Sequence, residues 1–211
     1  MHVLRLPRTS PKRLLLACGA LAGLALMPVL PALAITYGSG TYGTCQYGSG
    51  SCSITISSAG SVSLDVTPAG GGSCTTQSDT VSVLTDNPSG FTLSLADSNT
   101  NAALVNGTAH INPGSGTQAN PVALTVNTWG YRVDGLDGFG AGPTSAQANT
   151  GLNGTLFAAV PASNMAADTL ADTNDSADPA VNTSVWYSVC ADTSVASGTY
   201  TSQVTYTAVT N

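Results

Sequence analysis

Apolar residues recur at every second position along much of this chain, and that pattern limits its fold more than any other feature. In SITISSAGSVSLDVT, Ile54 and Ile56 share one face, Ala59-Gly60 marks a turn, and Val62, Leu64 and Val66 resume the alternation. TVSVLTDNPSGFTLSLAD repeats the plan: Val81 and Val83 lead into a turn at 86–90, and Phe91, Leu93 and Leu95 lead out. Successive side chains of a strand point to opposite faces, so each run offers one face to a core and the other to water. Both segments are therefore predicted to be β-hairpins. Three more runs follow: Val122, Leu124 and Val126 before Trp129 and Tyr131; Val185, Tyr187 and Val189; and Tyr200, Val204 and Tyr206. Glu and Lys, both good helix formers, are absent after residue 34. Short strands with turn signals between them predict an all-β chain, an antiparallel immunoglobulin-like β-sandwich.

The N-terminus reads as an export signal. Arg5, Arg8, Lys12 and Arg13 precede an apolar run from Leu14 to about Met27, and Ala32 and Ala34 occupy the small-residue positions of a cleavage site. Residues 1–34 are thus expected to be a secretory signal peptide, too short and too Pro-interrupted for a permanent span. Only Leu14 to Ala17 separate Arg13 from Cys18, too short an apolar run for an h-region, which excludes a lipoprotein box. After cleavage Arg132 alone faces eleven Asp, with no Lys and no Glu, a formal charge of −10. Such a chain is repelled by phosphate backbones and anionic lipid faces, so nucleic acid partners and membrane insertion of the mature chain are not expected. The expected location is secreted, or at the extracellular cell surface.

Four cysteines remain beyond the signal, an even number in an oxidising compartment, which reads as two disulfides with three connectivities open. Cys45 and Cys52 flank a short flexible QYGSGS loop and are paired here, which leaves Cys74 and Cys190 to bridge the body of the fold. Residues 35–52 form a Tyr/Gly/Ser-rich, disulfide-clipped arm with Tyr37, Tyr42 and Tyr47, and 53–211 form the sandwich domain. An extended arm can pack on its own domain or add itself as a strand to a neighbouring subunit. Residues 135–155 and 167–182 read as long loops, which in compact domains are usually functional or disordered.

Few residues here can carry acid–base chemistry. The mature chain has His110 alone and Asp as its only carboxylate, and no GxSxG nucleophile elbow occurs. A non-enzyme is expected. A hydrolase would need two facing carboxyls, drawn from Asp134, Asp137 and the 168–178 group. Asp172, Asn174, Ser176 and Asp178 alternate as oxygen ligands of a hard-cation loop do, with Asp168 and Asp175 nearby, so calcium is the one cofactor with a positive signature. The competing reading is a solvated acidic loop. Trp129, Tyr131 and Arg132, together with Trp186, form a candidate glycan or ligand platform. Against it stands burial of the Trp residues in the core and pairing of Arg132 with an Asp.

Three blocks occur in order, VSVLTDNPSGFTLSL, NTWGYRV and SGTYTSQVTYTAVTN. They resemble small secreted proteins of candidate-phylum bacteria of the Saccharibacteria type, in which a TN-turn-GY-TL hairpin, a WGY segment and a GTYT-VTYTA-N strand recur. Asp86 and Phe91 stand where that pattern has Asn and Tyr. The resemblance spans roughly 53–211 and implies a surface or secreted β-sandwich, with no activity attached. The leading expectation is a non-catalytic structural or adhesive surface protein, such as a surface-fibre or surface-layer subunit. Its partners would be other surface proteins, itself or glycans. The alternative is an extracellular carbohydrate- or ligand-binding module using exposed aromatics.

Overall fold

A computed structural model describes residues 52–211; the expected signal peptide, and the expected arm up to residue 51, lie outside the described residues. The strands are β1 (Ile54–Ser57), β2 (Ser73–Thr85), β3 (Phe91–Asp97), β4 (Leu104–Asn106), β5 (Ala109–Pro113), β6 (Val122–Ala123), β7 (Thr128–Arg132), β8 (Gln147–Thr150), β9 (Leu156–Phe157), β10 (Asp168–Asp172), β11 (Ala177–Ala191) and β12 (Val204–Thr210). One short 3-10 turn, Asp137–Phe139, is the only helical element among the described residues. The predicted all-β class is thus met.

The larger sheet runs β1-β2-β11-β7-β5-β4, with β8 also pairing to β2; β10-β3-β12 form a second sheet and β6-β9 a third. The large sheet curls until β1 lies against β12. Its spine is the antiparallel β2–β11 ladder, which runs from Ala177 opposite Thr85 to Ala191 opposite Ser73. The register shifts between Ala177 and Val181, and Pro179 falls inside that shift. Proline has no N–H to give a ladder, so within sheets it is confined to such breaks and to edges.

Alternation held along β3 and through the middle of β2 and β11, while Trp129–Arg132 of β7 and Tyr187–Ala191 of β11 are buried in succession and Ile56 of β1 is exposed. Val81 and Val83 of β2, Phe91, Leu93 and Leu95 of β3, and Val185 of β11 are fully buried. They belong to one apolar cluster with Tyr131, Leu170, Tyr187 and Val189, so the two larger sheets share a core.

Both predicted hairpins are corrected. Residues 62–66 form no strand, and β1 pairs with β2 instead, Ile54 opposite Thr85. Val62, Leu64 and Val66 still turn inward against the core, while the Thr75 hydroxyl donates to the Asp65 carbonyl at 2.8 Å and Asp79 accepts from the Ala59 N–H at 3.0 Å. The 86–90 turn is real, but β2 and β3 lie in different sheets, so it is a corner. The buried Asn87 shapes it, donating to the carbonyls of Gly90 at 3.0 Å and Asn211 at 2.9 Å. Gly90 takes φ +84° where a Cβ would collide with the Thr173 main chain. A fully apolar face on each strand fits two strands opposed across a core as well as two strands side by side, and period two does not separate the cases.

Three further expectations change. β5 and β7 pair in parallel, Asn112 opposite Thr128, so the large sheet is mixed rather than wholly antiparallel. The expected loop at 135–155 contains β8, and the expected acidic loop at 167–182 is mostly β10 and the start of β11. Its Asp residues misled, because strand edges tolerate charge where a side chain points to water. Cys74 and Cys190 are disulfide-bonded, as paired from the sequence, but they stand directly opposite each other on β2 and β11. The bond therefore staples neighbouring strands within one sheet instead of bridging the body of the fold. Cys52 is also disulfide-bonded, and Cys45, its expected partner, lies outside the described residues.

Candidate functional site

The large sheet has two unlike faces along β2 and β11. The inner face carries Asp79, Val81 and Val83 beside Val185, Tyr187 and Val189. The outer face carries Cys74, Ser78, Thr80 and Ser82 beside Asn182, Ser184, Trp186 and Cys190, which register pairing sets opposite one another.

On the inner face the polar groups are bound to one another. The Tyr187 and Tyr206 hydroxyls share a hydrogen bond of 2.7 Å, and Asp79 lies buried beside them. Burial lifts the Tyr187 phenol far above its ordinary range, and Tyr206 and Asp79 add to the shift. Burial also raises Tyr206, and the hydrogen bond with Tyr187 offsets it only in part. The Tyr131 hydroxyl donates to Asp168 at 2.8 Å, which ties β7 to β10. Burial raises that phenol too, and raises the Asp168 carboxyl, to which Asp137 adds its own charge. These hydroxyls and carboxyls satisfy each other, as buried polar groups must.

Trp129, Tyr131 and Arg132 do not form an exposed platform. Trp129 is 3 % exposed, Tyr131 0 % and Arg132 4 %. The Trp129 indole N–H donates to the Ala102 carbonyl at 3.0 Å, and its ring packs 6.4 Å from that of Tyr187. Tyr131 meets Phe139 edge-on at 5.6 Å. Gly130 between them has no room for a Cβ, because the Ala158 main chain pairs with Tyr131 right beside it. Arg132 turns outward, but Asp134 claims it with contacts of 2.7 and 2.8 Å. Burial alone would raise the Asp134 carboxyl; the Thr144 N–H and hydroxyl and Arg132 together hold it below the usual range.

The calcium candidates are spread over the end of β10, the start of β11 and the connection between them. Asp172 ends β10, Asn174 and Ser176 lie in the connection, and Asp178 stands beyond the start of β11. The Asp172 carboxylate accepts from the Asn211 side-chain amide at 2.9 Å. Among the described residues no group of three or more His, Cys, Asp or Glu is placed to hold a metal.

An open groove of about 570 Å³ lies beside Trp186, where the outer face of β11 meets the edge of the core. Asn182, Thr183, Ser184 and Trp186 of β11 form one wall, Asp134, Pro143 and Thr144 face them, and Val133, Leu136 and Leu170 add apolar lining from the core side. Trp186 is half-buried, unlike Trp129. The alternation in SVWYSVC already carried this signal: if Val185, Tyr187 and Val189 face the core, Trp186 faces away. The contribution of Asp134 and Thr144 had no such signal, because it depends on how the 134–144 segment folds back. No protein-family model, curated protein or solved structure matches the chain.

Proposed function

We propose that this chain is a non-catalytic, exported structural or adhesive protein of the cell surface, a subunit of a surface fibre or layer. Its body is an immunoglobulin-like sandwich, and residues 35–52 are its extended arm. Two sheets around one core support the sandwich. The observation that carries the functional reading is the β2–β11 ladder: two strands of 13 and 15 residues, stapled by Cys74–Cys190. Long antiparallel strands resist shear because many hydrogen bonds must break together, and a cross-link over 116 residues limits how far the chain extends. The strongest polar groups support the same reading, since Arg132, Asp134, Tyr131, Asp168, Tyr187 and Tyr206 hold the fold together.

Two measurements test it. Cell fractionation of the full chain should place it outside the cytoplasm, shortened at its N-terminus, and recovery as an intact cytoplasmic protein would end the reading. Light scattering of the mature chain should detect assemblies that persist on dilution and vanish when residues 35–52 are removed. A monomer at every concentration would eliminate assembly through the arm.

A further inference from the structure

We infer that the groove at Trp186 and the bare sheet surface beside it bind a neutral glycan chain. This goes beyond the surface role by naming a partner class, and it stands or falls separately, because binding is measured on purified protein wherever the cell keeps it.

Sequence and register place the elements of the site. Asn182, Ser184 and Trp186 project from the outer face of β11, and Ser82, Thr80 and Ser78 stand opposite them on β2. Ser78, Thr80, Asn182 and Ser184 are exposed, and Ser82 is half-buried. At the other end of the same face, β6 and β9 cover the disulfide, with Leu124 and Phe157 packed on Cys74 and Cys190. Cover stops before Trp186, which leaves a half-buried indole at the margin of a hydroxyl- and amide-lined surface. Indole offers a broad apolar face and one N–H, a surface that suits a ligand with both apolar and polar sides. A pyranose ring is such a ligand, with C–H groups on its faces and hydroxyls round its edge. Ser, Thr and Asn side chains supply both donors and acceptors, as an edge of sugar hydroxyls requires.

Charge decides among ligand classes. The mature chain carries ten net negative charges, which disfavours an anionic glycan at any surface of it. A cation would need an uncompensated carboxylate here, and Asp134, the only carboxylate lining the groove, is neutralised by Arg132 at 2.7 Å. The site is thus locally uncharged within an acidic molecule. Its volume falls in the range of about 300–1,000 Å³ typical of small-ligand sites. Being open, it lets a polymer continue across the β2 surface instead of ending in a closed pocket.

The test uses the full mature chain and uncharged hexasaccharides, β-1,4-linked glucose, β-1,4-linked N-acetylglucosamine and α-linked mannose, with oligogalacturonate as the anionic control. Calorimetry and indole fluorescence read binding, and Trp129→Phe assigns the optical change to Trp186. At least one neutral sugar should bind, and Trp186→Ala and Ser184→Glu should each weaken it by at least about tenfold, as loss of a central aromatic anchor or crowding of its rim does. Ser184 is exposed, so its variant decides the matter even where Trp186→Ala fails to fold. The inference is overturned if no neutral sugar binds, if both variants bind as the parent does, or if oligogalacturonate binds equally well. It is also overturned if Ser184→Glu splits a dimer, which would make a second copy the occupant of this face.

Discussion

The two faces of the β2–β11 ladder have nearly the same backbone and opposite chemistry. The inner face buries Val81, Val83 and Val185 completely, and its polar members, Asp79 and Tyr187, are enclosed with them. The outer face leaves Ser78, Thr80, Asn182 and Ser184 in water and is covered only near its disulfide end. Two tryptophans mark the contrast, since Trp129 faces the core and Trp186 faces the groove. The difference teaches that stability and recognition are divided by side-chain parity: substitutions at alternate positions of one strand should act on different properties.

Four changes would break or sharpen that contrast. Replacing Cys74 and Cys190 by Ala should have the largest effect, about 4–5 kcal/mol in the chain-entropy description for a loop of this length. Urea unfolding of the double variant measures it. A loss below about 0.5 kcal/mol, the size of an ordinary surface change, would mean that the staple adds little to the ladder. This pair tests the division most severely, because it lies on the outer face but acts through the unfolded chain.

Leu93→Ala comes next. Leu93 is fully buried opposite the inner face, and removing its branched end should cost about 2–5 kcal/mol, read as a fall in the denaturation midpoint. A loss comparable to that of an outer-face variant would show that the core can collapse around the gap. Tyr187→Phe should cost about 1 kcal/mol, the net worth of a typical hydrogen bond, by removing the 2.7 Å contact with Tyr206.

The same residues set an alkaline limit. Tyr131, Tyr187 and Tyr206 all have phenols raised in the fold, by burial first. Below about pH 10, the unperturbed phenol value, folded and unfolded chains both keep these protons and stability is level. Above it the unfolded chain releases protons that the fold retains, so stability falls as pH rises. Thermal melts from pH 8 to about 12 should show that decline, and Tyr187→Phe should flatten it. A melting temperature unchanged across that window would sink the account. Thr80→Ala, on the bare outer face, should change stability by less than about 0.5 kcal/mol.

Much of this contrast was legible in the residues. Val81, Val83, Phe91, Leu93, Leu95, Val185 and Val189 were assigned inward by parity alone, and all are buried. The pairing of Cys74 with Cys190 was also reached, although their place within one sheet was not. The partners of each strand were less legible. Ile54–Ile56 and Val62–Val66 look like the two arms of one hairpin, yet β1 joins β2 and the second arm remains irregular. Hydrogen bonds of a ladder are made by the backbone, which is the same in every residue, so alternation names a face and leaves the neighbour open. Trp186 and Asp134 were each named as candidates, but their grouping in one groove was missed for a related reason. Trp129, Tyr131 and Arg132 are adjacent in sequence and drew attention as a cluster, whereas Trp186, Ser184, Asp134 and Thr144 come together only when β11 and the 134–144 segment meet.

By itself, then, the sequence determined the β class, the inward side of most strands, the acidity of residues 52–211 and their scarcity of catalytic groups. These follow from local sterics, from the period of two and from counting charges. Tertiary structure alone decided that the 86–90 turn is a corner between sheets, that β5 and β7 run parallel, and that Trp186 stands at the edge of an open groove. Each of those depends on which distant segment packs against which, and that is set by the summed burial of a whole core, beyond the reach of any one stretch of residues.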